Sequence, residues 1–242
     1  MSDLRKALTL EEQRIQEAYE QRKQAAALSL FNAGNLFMIQ EQEREMLALL
    51  ERRGFTELDR QKILEVGCGA GYWLRELMKW GASPENLTGV DLLPDRIELA
   101  RRLCPAGVSL QCGSAAHLSF PDASFDLVLQ STVFSSILDY RMKQAIAAEM
   151  LRVLKPDGVI LWYDSCVNNP RNPHVRGIKK PEIQQLFPGC LLELRRITLA
   201  PPLSRLLAPY SLLGCQILSW LPWLRTFYLG AIRKPGVGGG PK

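Results

Sequence analysis

The stretch KILEVGCGAGYWLREL, residues 62–77, decides the fold. Its first five residues are a short, mostly apolar run of the kind that makes a buried strand. Gly67, Gly69 and Gly71 follow at alternate positions, and YWLREL then opens a helix. Glycines in such a loop let the backbone turn tightly and approach a ligand, while the helix start offers free N–H groups. The spacing is G-x-G-x-G. A dinucleotide pyrophosphate wants G-x-G-x-x-G, so a smaller nucleoside ligand is the expectation and a nicotinamide oxidoreductase is disfavoured.

Working outward, GVDLLPDRI (89–97) puts Asp91 at the end of the next strand, 20 residues beyond Gly71. A carboxylate there can reach the ribose hydroxyls of a ligand lying over the strand ends. Taken alone, Asp91 could equally cap the helix that begins near Pro94. Beyond this pair, apolar runs alternate with helical patterns. Strands are expected at 62–66, 86–91, 108–112, 125–130 and 158–164, with helices near 71–80, 94–104 and 140–154. Strand alternating with helix means a parallel sheet covered on both faces, doubly wound because the crossovers are right-handed. Two later runs, 191–200 and 227–234, read as further strands. Upstream, a helix is expected over 10–30, with Thr9 and Glu12 at capping-box spacing. FNAGNL (31–36) interrupts it, and a second helix should run from Phe37 to Arg52.

As a set, EVGCGAG (65–71), the GVD after it, FPDASFDLV (120–128) and LRVLKPDG (151–158) closely resemble class I S-adenosylmethionine-dependent methyltransferases. The resemblance covers about residues 60–165. It implies an α/β fold, a doubly wound, seven-stranded, mostly parallel sheet of Rossmann-like methyltransferase type, whose antiparallel strand would be 227–234. It also implies S-adenosylmethionine as cofactor. Glu65, Gly67 and Gly69 would then frame its methionine part, with Cys68 and Gly71 completing the turn. Asp91 would bind the ribose, Leu92 would lie against the adenine, and Ser114 and Ala115 would stand on the adenine-edge loop. Such enzymes usually carry Asp at position 114, so a side-chain bond to the adenine is in doubt. Gln130 and Ser131 would lie beside the sulfonium. A metal-dependent subclass uses paired Asp and Asn ligands, but the fourth strand here ends in Gln130, so no metal is expected.

Methyl transfer from a sulfonium is an in-line displacement, with the nucleophile held about 3 Å from the methyl carbon. A base is needed only if the nucleophile attacks while it still carries a proton. The long polar loop SCVNNPRNPHVRGIKK (165–180) follows the fifth strand. From it His174 is the candidate base, with Asp164 as a base, its orienting partner or a loop cap. Asn168 and Arg176 are candidate acceptor contacts, Arg176 as a clamp for an anion. Phe134 and Tyr163, after the fourth and fifth strands, join them. In the N-terminal segment, Tyr19, Phe31 and Asn35 are candidate lid residues. Packing of an amphipathic helix on the sheet would explain Phe31 as well. His117, on the adenine side, reads as structural.

Residues 1–55 are thus expected to be an N-terminal helical cap or lid, and 56–235 the S-adenosylmethionine-binding domain. Between Arg205 and Arg225 lie 19 residues without charge. Pro209, Gly214, Gln216 and Pro222 should break them into two short helices, an apolar insertion at 201–226 before the last strand. It could be a pocket wall for an apolar or aromatic acceptor, or a peripheral membrane contact through 203–225. GVGGGPK (236–242) should be a flexible tail.

Composition adds the outer limits. The chain has 242 residues, 47% of them apolar and 23% charged, which excludes a disordered, fibrous or polytopic membrane protein. No cysteine pair has C-x-x-C spacing, which argues against a zinc ribbon or thioredoxin motif. The opening MSDLRKALTLEEQ is charged, so no signal peptide is expected and a cytoplasmic setting, at most peripheral at the inner membrane face, follows. Residues 166–242 hold 11 Lys and Arg against 2 Glu, a basic third that could meet an anionic partner. Nucleic acid is not expected, since no aromatic-rich basic patch accompanies it. The expected activity is methyl transfer to a small molecule, at oxygen first. The alternatives are a lipid-linked or glycan acceptor at a membrane surface, and a binding protein without catalysis.

Overall fold

A computed structural model describes residues 2–23, 29–170 and 172–235. Helix α1 (Ser2–Lys23) starts well upstream of Thr9. The run LRKALTLEEQ is rich in good helix formers, so Thr9 lies inside the helix and not at its start. The expected continuation to residue 30 crosses 24–28, outside the described residues. Helix α2 (Ala33–Arg52) begins four residues earlier than expected. Asn32 is its N-cap, and its side-chain oxygen accepts the N–H groups of Gly34 and Asn35 at 3.0 and 3.1 Å. The FNAGNL break is therefore a helix start.

Seven strands form one sheet: β1 (Ile63–Val66), β2 (Leu87–Asp91), β3 (Ser109–Cys112), β4 (Phe125–Ser131), β5 (Leu154–Ser165), β6 (Leu191–Leu199) and β7 (Arg225–Arg233). Their order is β3-β2-β1-β4-β5-β7-β6. Only β7 runs antiparallel, wedged between β5 and β6. The rest is the mostly parallel, doubly wound sheet that the alternation of strand and helix predicts. The order in which strands are added reverses between β1 and β4, so the carboxyl ends of these parallel strands and of β2 flank the topological switch point.

Helices cover both faces. Leu64, Val66, Val128, Ile160 and Trp162 pack under α1, α5 (Tyr140–Val153) and α6 (Lys180–Leu186). Ile63, Leu127, Leu129, Leu161 and Tyr163 pack under α2, α3 (Tyr72–Lys79) and α4 (Pro94–Leu103). The two N-terminal helices thus lie on opposite faces, and only α1 is placed to cover the switch point. The expected insertion is present as α7 (Pro201–Leu207), α8 (Leu212–Ser219) and a 3-10 turn at Pro222–Leu224. Its inner side makes a third, small core with Leu199, Ala33 and Phe37. The tail at 236–242 lies outside the described residues.

Candidate functional site

Strand β1 stops at Val66 because the next turns need a left-handed backbone: φ is +69° at Gly67, +52° at Gly69 and +73° at Gly71. A Cβ on Gly67 would stand 2.4 Å from Cγ2 of Val133, so no larger residue fits there. The N–H groups of Gly67 and Cys68 donate to the Val90 carbonyl at 2.8 and 3.1 Å, tying the turn to the end of β2. Gly69 N–H then donates to Oδ2 of Asp91 at 2.8 Å, and Leu93 N–H to its Oδ1 at 2.9 Å. Burial pushes the Asp91 carboxyl above its usual range, and these two amides pull the other way. A carboxylate has about four acceptor sites, so two donors leave it capacity for a ligand diol.

The turn and Asp91 form one side of a cavity of about 250 Å³. Its apolar floor comes from Val66, Val90, Leu92 and Leu93, and Gly113, Ser114 and Ala115 after β3 make one end. Ser131, Thr132, Val133 and Ser136 after β4 face the turn. Ile15 and Tyr19 of α1 close over it, with Met142 and Ile146 of α5 beside them. Thr132 has φ +59°, an outlier for a β-branched residue. Its N–H donates to the Tyr163 carbonyl at 2.8 Å and its hydroxyl to the Ser131 carbonyl at 2.7 Å.

Of the expected site residues, the structure brings Gly67, Gly69, Asp91, Leu92, Ser114, Ala115, Ser131 and Tyr19 into this one wall. Several others support it from behind. Gln130 is fully buried; its Oε1 accepts Val133 N–H at 3.2 Å and its amide donates to the Tyr163 carbonyl at 3.4 Å. Cys68 is buried against Gly89 and Leu74. Gly71 starts α3, where a Cβ would meet Sγ of Cys104 at 2.6 Å. Glu65 is buried beneath α3. Burial, and after it the Asp91 charge, raise its carboxyl well above the usual range, against the Leu74 amide and Arg75. Its Oε2 has no hydrogen-bond partner.

Apart from Tyr19, the expected acceptor and catalytic residues stand outside the cavity wall. Asp164 has no exposed surface; its Oδ2 accepts Ser135 N–H at 3.1 Å and its Oδ1 accepts Ser165 N–H at 2.8 Å. Burial lifts its pKa to about 6 in spite of those donors. Phe134 is buried against Trp162 at 4.7 Å between ring centres. Tyr163 lies on the opposite sheet face, stacked on Phe227 and bonded to the Thr198 hydroxyl. In the loop after β5, Asn168 accepts Gly177 N–H at 3.0 Å and Arg176 pairs with Glu182 at 2.8 Å. His174 is half-buried there, its N–H donating to Asn172 Oδ1 at 3.1 Å. Asn35 accepts from Arg205 at 2.9 Å beside the insertion, and Phe31 is wholly exposed. The titratable side chains in the described wall are Tyr19, Asp91 and Arg96. Among the described residues, no group of three or more His, Cys, Asp or Glu could hold a metal ion.

Sequence reasoning missed Ile15, Arg96, Thr132, Val133, Ser136, Met142 and Ile146. The i, i+4 spacing of Ile15 with Tyr19, and of Met142 with Ile146, was a usable signal for shared helix faces. Nothing in the sequence marked Thr132 as strained.

Comparisons with known proteins agree with this layout. The family described as "methyltransferase domain" matches residues 63–158. The chain is 35% identical over 128 residues to 2-methyl-6-phytyl-1,4-hydroquinone methyltransferase of Synechocystis, covering 52% of this chain and 38% of that protein. It is 38% identical over 111 residues to fatty-acid O-methyltransferase of Mycolicibacterium smegmatis, covering 46% and 39%. The aligned part therefore spans about two fifths of each of these relatives. Phosphoethanolamine N-methyltransferase 1 of Haemonchus contortus, solved with phosphoethanolamine and S-adenosylhomocysteine, superposes with a TM-score of 0.63 at 15% identity. That alignment covers 97% of this chain and 51% of the other, and shows the shared fold.

Proposed function

Because the chain carries a class I S-adenosylmethionine-dependent methyltransferase domain across residues 63–158, we propose that it methylates a small, largely apolar acceptor. The observation that carries this reading is the single cavity in which the glycine turn and Asp91 face the apolar side chains of α1 and α5. Bound S-adenosylmethionine supplies an electrophilic methyl group. The residues present fit it. Asp91 would hold the ribose hydroxyls through its free lone pairs, Leu92 and Ala115 would hold the base, and Gly67 and Gly69 would permit close backbone approach. The partnerless Oε2 of Glu65 is an acceptor suited to a cationic amino group.

On the acceptor side, Ile15, Tyr19, Met142 and Ile146 exclude water and position the nucleophile. Tyr19, Asp91 and Arg96 are the titratable wall residues, and Asp91 is committed to the cofactor. The chain's contribution is then orientation and desolvation. Such a site suits an oxygen that is ionised before it attacks, in a carboxylate or an acidic phenol. Relatives named for a hydroquinone and a fatty acid support an apolar acceptor, and the second, named an O-methyltransferase, supports oxygen as the attacked atom. His174 and Asp164 remain the candidate base and partner for a hydroxyl acceptor only if the loop after β5 rearranges. A cytoplasmic setting is supported by six free cysteines. A second reading, a lipid-linked or glycan acceptor at a membrane surface, is favoured by exposed Trp220 and Trp223.

The test is transfer of labelled methyl from S-adenosylmethionine to a panel of carboxylates, phenols and glycosides. Label should pass to an apolar carboxylate or phenol. S-adenosylhomocysteine binding without transfer to any of the three classes would leave a binding protein and sink the catalytic reading.

A further inference from the structure

We propose that the sheet edge beside β6 carries a docking surface for an anionic lipid bilayer, built jointly by the start of α2 and the α7–α8 insertion. Two stretches far apart in sequence carry no charge, residues 29–40 and 206–224. The fold brings them together. Ala33 and Phe37 share a core with Leu207 and Leu218. Arg205 donates to Asn35 at 2.9 Å, and a Cβ on Gly34 would lie 2.5 Å from the Arg205 Cα. Inner side chains are used up in this contact, and the outer ones are left bare. Phe31, Tyr210, Leu213, Ile217, Trp220 and Trp223 are each at least half exposed. Scattered exposed leucines need no explanation, but a composite apolar face with four aromatic residues does.

Charge selects the occupant. Neither 29–40 nor 206–224 contains an acidic residue, and Arg205 is exposed on the face itself, whereas Arg195 is paired with Glu45 and Arg233 lies at the far end of β7. A second copy of this chain would oppose arginine to arginine with no carboxylate in either stretch to answer it. Anionic headgroups answer them, while Trp and Tyr suit the interfacial depth. Among the described residues, no helix is long and apolar enough to cross a membrane, so the face would lie on the bilayer. The insertion leaves β6 at Leu199 and rejoins at Arg225, level with the carboxyl ends that form the cavity. This deepens the membrane-surface reading and rests on it only for the consequence that the acceptor arrives from the bilayer.

The test is sedimentation of the full chain with vesicles of phosphatidylglycerol and phosphatidylcholine, against phosphatidylcholine alone, at low and high salt. Anionic vesicles should bind the protein, with affinity at least about tenfold weaker in high salt or on neutral lipid. Trp220→Glu with Trp223→Glu should weaken binding at least about tenfold with an unchanged melting temperature. Phe31→Glu, in the other stretch, should weaken it as well. Should the double variant melt early, Phe31→Glu carries the test, since that side chain packs on nothing it could disrupt. No binding by the wild type would overturn the inference, as would variants that bind like it. A dimer dissolved by these changes, without vesicle binding, would assign the face to a second copy instead. Vesicle binding is read without cofactor or acceptor, so failure of docking and failure of methyl transfer are distinguishable.

Discussion

Each oxygen of Asp91 accepts one backbone N–H, from Gly69 and from Leu93, and keeps capacity toward the cavity. Asp91→Ala should weaken S-adenosylhomocysteine binding by more than tenfold in calorimetry, since hydrogen bonds to a charged group are worth about 1.5–3 kcal/mol. Unchanged affinity would remove Asp91 from the ribose. Sequence made this residue legible because it stands at a strand end at a fixed spacing from the glycine turn that it holds. Asp164, read at another strand end as a base, an orienting partner or a loop cap, is buried with its carboxyl on the Ser135 and Ser165 amides, a partnership that no local pattern marks. Burial raises its pKa to about 6, above the unfolded value, so the folded state favours the proton. The sign follows: stability is greatest below the unfolded pKa and falls as pH rises through about 6. Relative to wild type, Asp164→Asn should gain up to about 3 kcal/mol between roughly pH 4 and pH 7, read from denaturant titrations across that range. A pH-independent difference would mean that the carboxyl titrates normally.

At the scale of elements, α1 is held by one buried carboxylate. Glu11 accepts the N–H groups of Leu138 at 2.6 Å and Asp139 at 3.3 Å, just before α5, and pairs with Arg14 at 2.8 Å. Burial raises its pKa, but Arg14 and the Leu138 amide outweigh that and leave it lowered. This latch is therefore complete above the unfolded pKa and fails as pH drops through the lower folded value. Glu11→Ala should cost about 1–3 kcal/mol locally by orphaning two amides. Hydrogen exchange should quicken across α1 while β1 and β4 stay protected. Equal acceleration in the sheet would mean that α1 is integral to the global fold. Glu11 was hidden because Thr9 and Glu12 imitate a capping box beside it, and a long-range partner 127 positions away leaves no local pattern. Asn32 shows the reverse: its capping geometry is local, but Gly34 and Asn35 disguised it as a loop.

Across the whole molecule, the alternation of strand and helix made five parallel strands legible, because each strand buried on both faces reads as a continuous apolar run. The cavity was half legible. Its Gly67–Asp91 side comes from two adjacent turns, whereas its other side joins α1, α5 and the turn after β4, which only the folded sheet brings together. The antiparallel strand is where the sheet depends most on one small residue. Gly230 sits in the middle of β7, opposite Trp162 of β5 and Leu194 of β6. A Cβ there would lie 2.0 Å from the Glu193 carbonyl oxygen and 2.6 Å from Leu194 Cδ2. The first contact is with backbone, so relief requires β6 to move away and break its ladder with β7. β6 has no other strand neighbour, and the α7–α8 insertion hangs from the same pair. Gly230→Ala should therefore cost at least about 3 kcal/mol, or roughly 6–12 °C in melting temperature for a chain of this size. Vesicle binding should fall with it, because the apolar face loses its anchorage, while β1 to β4 keep the glycine turn. A variant that melts within about 2 °C of wild type would show that β6 and β7 part without cost, and that this edge is not held as the ladder implies.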